Sequence, residues 1–182
     1  MPLGNGRLGA MELGGGAQAR IALNEETLWS GYPKDTNRKS ASAFYPQARA
    51  LAMEGRLHEA QALVEREMLG GFTQSYLPLG DLRIAHTDTD EELYECRELS
   101  LSRAVHTTRY SLNGTHFVRE TFVSCPAQAV FVRITADTPA SLSLSVCLDS
   151  PLRHTLSASG NQIVLDALAP SEVVPSYLDC AD

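Results

Sequence analysis

Val105-His106-Thr107-Thr108-Arg109-Tyr110-Ser111-Leu112-Asn113-Gly114-Thr115-His116-Phe117-Val118-Arg119-Glu120-Thr121-Phe122-Val123-Ser124 is the stretch that decides the fold class. Two runs, 104–112 and 115–124, are rich in β-branched and aromatic residues and flank Asn113-Gly114. Both central residues of a tight hairpin turn need positive φ, which Asn and Gly tolerate, so the dipeptide predicts a two-residue β-hairpin. Working toward the C-terminus, Val130, Val132, Ile134 and Ala136 share one face of a next strand. Leu142, Leu144, Val146 and Leu148 share a face of another, against Ser141, Ser143, Ser145 and Cys147. Residues 153–159 and 162–168 flank Gly160-Asn161, a second hairpin. Toward the N-terminus, Leu82 and Ile84 alternate with Asp81 and Arg83, and Leu99 and Leu101 with Glu98 and Ser100. No helix separates these strands, and parallel neighbours would need long crossovers. The pattern therefore predicts a mainly β protein, an antiparallel β-sandwich whose sheets pack face to face.

The first quarter of the chain departs from this rhythm. Leu8, Ala10 and Glu12 alternate with Gly9, Met11 and Leu13, and Ala19, Ile21 and Leu23 share a side after Gly14-Gly15-Gly16, which predicts two strands joined by a glycine turn. Asn24 to Gly31 has no clean period and reads as a structured loop, and 32–42 has loop composition. Helical spacing then places Ala48, Leu51 and Ala52 on one face, with Pro46 as a first-turn residue, and Leu57, Ala60, Leu63, Val64 and Met68 on one stripe. A helical hairpin inserted at about 43–69 is expected. Its single tetratricopeptide-like turn, Leu51 to Ala60, is too little for a repeat array.

Length and composition bound the rest. At 182 residues the chain suits one domain, able to bury roughly 70% of its unfolded surface. Fifteen basic against 22 acidic residues give a net charge of −7, which argues against nonspecific nucleic-acid binding. No window approaches a membrane span, so no membrane partner is expected. The first residues carry no apolar signal core, and both a cytoplasmic and an exported protein remain open. Cys96, Cys125, Cys147 and Cys180 form no C-x-x-C pair and are expected as free thiols.

Few motifs carry chemistry. Gly4-Asn5-Gly6-Arg7-Leu8-Gly9 matches G-x-G-x-x-G, yet only three residues precede it and a strand follows, so a turn before a strand is expected rather than a dinucleotide site. The five histidines lack metal-ligand spacing; His106 and His116 could face each other across their hairpin but lack a third ligand. No cofactor and no metal is expected. Glycoside hydrolysis needs two carboxylates flanking one bond, and adjacent Glu25 and Glu26 on an extended chain point apart. The run Asp88-Thr89-Asp90-Glu91-Glu92 reads as a solvated turn. Trp29, the only tryptophan, stands with Asn24 and Glu25 as a polar-plus-aromatic group able to hold a sugar or simply to anchor a loop. Asn113-Gly114-Thr115 is a formal glycosylation sequon whose turn chemistry already accounts for it.

Pro2-Leu3-Gly4-Asn5-Gly6-Arg7-Leu8-Gly9-Ala10-Met11 and Leu23-Asn24-Glu25-Glu26-Thr27-Leu28-Trp29-Ser30-Gly31 resemble the opening blocks of glycoside hydrolase family 95, the inverting α-L-fucosidases. The resemblance continues through Glu54-Gly55-Arg56, Tyr76 to Leu82, Arg97 to Leu101, Asp149-Ser150-Pro151 and Ala169-Pro170-Ser171. It implies an N-terminal β-sandwich of supersandwich type, here incomplete at both ends over 1–182, that precedes an (α/α)6 barrel holding the catalytic carboxylates. No position in this sequence matches those carboxylates. The implied partners are that barrel and, through it, a fucosylated oligosaccharide. Asn5, Arg7, Asn24, Glu25 and Trp29, polar and glycine-linked beside strands, are the candidates for a pocket rim. A stand-alone carbohydrate-binding or adaptor module and a nonfunctional gene fragment are the alternatives. Aromatics at 7%, scattered, weigh against the binding module.

Overall fold

The structure, a computed structural model, describes residues 1–87 and 92–174. In chain order the elements are β1 (Pro2–Gly4), β2 (Leu8–Gly14), β3 (Gln18–Glu25), α1 (Ala41–Met53), α2 (Leu57–Glu67), β4 (Gly80–His86), β5 (Glu92–Ser100), β6 (Val105–Leu112), β7 (Thr115–Ser124), β8 (Ala129–Ala136), β9 (Leu144–Asp149), β10 (Arg153–Ser159) and β11 (Gln162–Leu168). The chain divides into two compact units. Residues 1–29 and 76–170 carry every strand; residues 30–75, with the described part of 171–182, carry both helices.

In the strand unit all pairings are antiparallel. One sheet runs β1-β2-β3-β4-β9, a second β5-β6-β7-β8, and β10-β11 stands as a two-stranded sheet. The Asn113-Gly114 turn closes β6 on β7 in the register Leu112↔Thr115, with φ of 48° and 81° at its two central residues. Gly160-Asn161 closes β10 on β11 with Ser159↔Gln162. The mainly β, antiparallel class predicted from alternation is thus the observed one. The period-two runs of β2, β3, β4 and β7 each bury one face, and a slip by one residue would turn that face to water, whereas β9, β10 and β11 bury none of their residues.

The five- and four-stranded sheets meet through their inner faces. Tyr110, Leu112 and Phe117 gather with Ala17, and Ile134 and Ala136 pack against them. The Tyr110 and Phe117 rings stack at 5.4 Å, and His86 stands edge-on to Phe117 while its Nε2 meets the Tyr110 hydroxyl at 2.9 Å. Each ring buried this way is worth about 1.5–3 kcal/mol. Gly16 lets the β2–β3 turn reach this cluster: a Cβ there would lie 2.3 Å from the Tyr110 ring. Beyond the aromatic cluster the interior turns polar. Glu12, His106, Thr108, Arg119 and Thr121 are all fully buried. Arg119 donates to the Gly16 and Gly15 carbonyls at 3.1 and 3.0 Å, Thr121 donates to the Glu12 carboxylate, and Arg97 reaches the Glu12 carbonyl at 2.8 Å.

Several local expectations shift. β3 runs through Glu25, so Asn24 and Glu25 are strand residues, not loop. Pro46 lies inside α1, which starts at Ala41; its missing N–H falls past the first turn, where it forgoes a backbone bond. The helices span 41–53 and 57–67, a hairpin that begins two residues ahead of the expected 43 and ends two short of 69. Leu57 is 65% exposed, outside the buried stripe of Ala60 and Leu63. Leu101 sits in the turn after β5 and is 86% exposed, and Leu142 precedes β9. The acidic run from Asp88 to Glu92 and the chain after Val174, with Cys180, lie outside the described residues or their described side chains. Cys96, Cys125 and Cys147 are free thiols.

In the helical unit α1 buries Ala48 and α2 buries Ala60 and Leu63. Arg56 and Glu59 pair at 2.8 and 2.6 Å across one turn of α2. Arg38 donates to the carbonyls of Arg66 and Leu69, placing a cation on the negative end of that helix.

Candidate functional site

The glycine-rich opening is a hairpin. β1 and β2 pair with Gly4↔Gly9, and Asn5-Gly6-Arg7 is the turn, with Gly6 at φ 93°. A strand, not a helix, follows the motif, which removes the helix N-terminus that a pyrophosphate needs. Asn5 is spent on this turn. Its Oδ1 accepts from the N–H groups of Arg7 and Leu8 at 3.0 and 2.7 Å, and its Nδ2 donates to the Ser124 carbonyl at 3.0 Å.

Register brings Arg7 to Glu25, since Leu8 pairs with Glu25 across β2 and β3. Arg7 Nε donates to Glu25 Oε1 at 2.9 Å. Glu25 Oε2 accepts from the N–H and the hydroxyl of Thr27 at 2.8 and 2.6 Å. The hydrogen bonds from Thr27 and Arg7 hold the Glu25 carboxyl below the usual carboxylate range. It is a fixed, ionised acceptor, the opposite of a general acid whose pKa must be raised. The chain then turns so that Trp29 Nε1 donates to the Glu26 carbonyl at 2.8 Å. Trp29 forms a backbone bridge with Tyr76, and their rings meet at 5.2 Å and 61°. Both rings stand half in water, 46% and 44% exposed.

Asn5, Arg7, Glu25 and Trp29 therefore belong to one end of the β1–β3 strands and the loop that leaves it. Asn24 does not join them. It pairs with Gly9 and points to the opposite face from Glu25. There it borders an open hollow of about 340 Å³ with Arg20, Asp81, Asp149 and Ser150. Asp81 and Asp149 are register partners on adjacent strands, so they stand side by side, not on two sides of a bond. Asp81 is held by Arg20 at 2.7 Å and Arg83 at 3.4 Å. The helical unit has a larger open hollow of about 910 Å³, whose acidic neighbours are Asp35 and Glu172. Lys34 binds Glu172 at 2.6 Å, which keeps that carboxyl below its ordinary range. In each hollow an acidic side chain is thus tied to a basic one.

His106 and His116 do not face each other. His106 pairs with Thr121 and is buried between the sheets, while His116 pairs with Ser111, whose hydroxyl lies 2.7 Å from its Nδ1. Among the described residues no group of three or more His, Cys, Asp or Glu could hold a metal ion. No helix among them is long and apolar enough to cross a membrane. Tyr76 and Thr27 were not among the expected rim residues. Thr27 carries no pattern beyond its neighbours, and Tyr76 lies 47 positions from its ring partner, a distance no periodicity spans.

Antiparallel sheets packed face to face, with Asn5, Arg7, Glu25 and Trp29 near one end of β1–β3, define the class as a mainly β sandwich. The chain belongs to the family described as glycosyl hydrolase family 65, N-terminal domain, which it matches over residues 1–177. It is 34% identical over 171 residues to alpha-L-fucosidase 2 of Arabidopsis thaliana, covering 91% of this chain and 20% of that protein. It is 30% identical over 175 residues to the probable alpha-fucosidase A of Aspergillus niger, covering 90% and 21%. A probable alpha-fucosidase A of Aspergillus oryzae is 26% identical over 140 residues. The relatives carry the fucosidase name to which the sequence resemblance pointed. The chain spans about a fifth of their length.

Proposed function

We infer that this chain is the N-terminal β-sandwich part of an α-L-fucosidase-type glycoside hydrolase. In the parent protein it supports a barrel domain that carries out the cleavage, by single displacement with a base-activated water on an α-1,2-fucosidic bond. The observation that carries this is the conjunction of a match over residues 1–177 with coverage of only a fifth of each fucosidase relative. The carboxylates of this chain fit the same division of labour: Glu25 and Asp81 are tied into ion pairs. Inverting hydrolysis needs an acid and a base on opposite sides of the sugar, far enough apart to admit water. That pair belongs to the barrel. Arg7, Glu25 and Trp29 form the part of this domain offered to the pocket rim, with Asn5 fixing the turn that presents Arg7.

The test is catalytic. The purified 182-residue chain is expected to release no fucose from 2′-fucosyllactose, and the same reading frame extended through the barrel is expected to release it. Fucose release by the 182-residue chain, or a downstream frame without a barrel, would refute the assignment.

A further inference from the structure

We propose that the edge-to-face pair of Trp29 and Tyr76 is a stacking site for one pyranose ring of the glycan handled by the parent enzyme. The proposal rests on the function inferred above and adds a ligand class and a second residue to it. Large aromatic rings usually hide most of their area, because leaving them in water forfeits the hydrophobic gain. These two stay nearly half exposed while being held in place. The indole N–H is tied to the Glu26 carbonyl at 2.8 Å, Trp29 and Tyr76 are backbone-bridged, and the Leu77 N–H donates to the Leu28 carbonyl at 3.0 Å. The rings are thus preorganised, and a ligand would spend little entropy in ordering them.

Their geometry suits a sugar. At 61° the two rings make a corner that can receive the flat C–H face of one pyranose on one wall and its edge on the other. A pyranose also needs donors and acceptors for its rim of hydroxyls. The Tyr76 hydroxyl has no hydrogen-bond partner among the described residues, and neither do the two Nη groups of Arg7, whose Nε alone binds Glu25. Glu25, Glu26 and Thr27, shortly before Trp29 in the chain, are polar.

Trp29 is the only tryptophan, so its fluorescence reports this corner alone. Titration of the 182-residue chain with 2′-fucosyllactose is expected to give a saturable blue shift and protection from acrylamide, with Kd on the order of millimolar. Lactose in a parallel titration tells whether the fucosyl ring or the lactosyl rings occupy the corner. Tyr76→Ala should weaken the binding roughly tenfold and Tyr76→Phe should keep most of it, with both variants melting as the parent chain does. The absence of any saturable change with either sugar, or undiminished binding by a folded Tyr76→Ala variant, would overturn the stacking site. If the extended parent still released fucose in that case, the fucosidase assignment would stand without it.

Discussion

Glu12 sits on the face of β2 that alternation turns inward, and it is fully buried there with its charge. Burial alone would push its carboxyl up. The His106 ring at 3.7 Å, the Thr121 hydroxyl and the Arg119 guanidinium at 3.7 Å more than reverse that, and the group lies below the usual carboxylate range. A carboxylate whose folded pKa is depressed adds stability that is present above its unfolded pKa, about 4.3, and lost as pH falls through the folded value. Glu12→Gln should therefore unfold more easily at neutral pH by about 1–3 kcal/mol, with the gap closing as pH drops below about 4. Urea unfolding of both proteins across pH measures this; a gap that does not change with pH would show that Glu12 is not ionised between the sheets. The inward face of Glu12 could be read from Leu8 and Ala10 beside it. Its partners could not, because Arg119 and Thr121 lie more than a hundred positions away and look like ordinary polar strand residues. The same holds for Arg7 and Glu25: adjacent strands bring them together, whereas the chain itself shows only two charges 18 residues apart.

Strands announce themselves by alternation and helices by spacing, so most elements here are visible in the residues alone. β6–β7 and β10–β11 have the boundaries that Asn113-Gly114 and Gly160-Asn161 imply. What alternation cannot show is which neighbour covers a face. β6 and β7 are flanked by β5 and β8 and bury Tyr110, Leu112, Phe117, Arg119 and Thr121. β10 and β11 pair only with each other, and Leu156, Ile163, Val164 and Leu168 remain exposed. A two-stranded hairpin on its own is marginal in water. Amide hydrogen exchange should follow this order: β10–β11 amides exchanging by local opening well below the global unfolding free energy, and β6–β7 amides only on global unfolding. Equal protection of the two hairpins would mean that β10–β11 is held by contacts beyond its own ladder. Pro46 marks the opposite failure of local reading. A proline is expected in a first turn, yet α1 extends five residues ahead of it, because Arg38 and Ser40 accept the N–H groups of Ala41 and Ala43 and begin the helix earlier.

At the scale of the whole chain, the apolar surface left in water governs behaviour. Stacked Phe122 and Phe131 lie on the outer face of the four-stranded sheet, Val146 on edge strand β9, and Leu156 and Leu168 on the isolated hairpin. In the helical unit Tyr45, Met53, Leu57 and Phe72 are exposed as well. Folding gains about 25 cal/mol per Å² only for apolar area that leaves water, so these side chains contribute little to the fold while adding to its tendency to associate. The polar interior around Glu12 and Arg119 also yields less than hydrocarbon packing of the same volume would. Both effects lower the margin of a 182-residue chain that covers a fifth of its fucosidase relatives. The isolated chain should therefore melt below about 45 °C, the lower edge of the usual mesophilic range, and bind a hydrophobic dye such as ANS in its native state. Extension of the same chain through the proposed barrel should raise the midpoint and remove the dye binding, since a partner domain stabilises whatever surface it covers. A sharp, cooperative melt of the 182-residue chain well above that temperature, without dye binding, would show that its sheets are self-sufficient and that the exposed side chains await no partner.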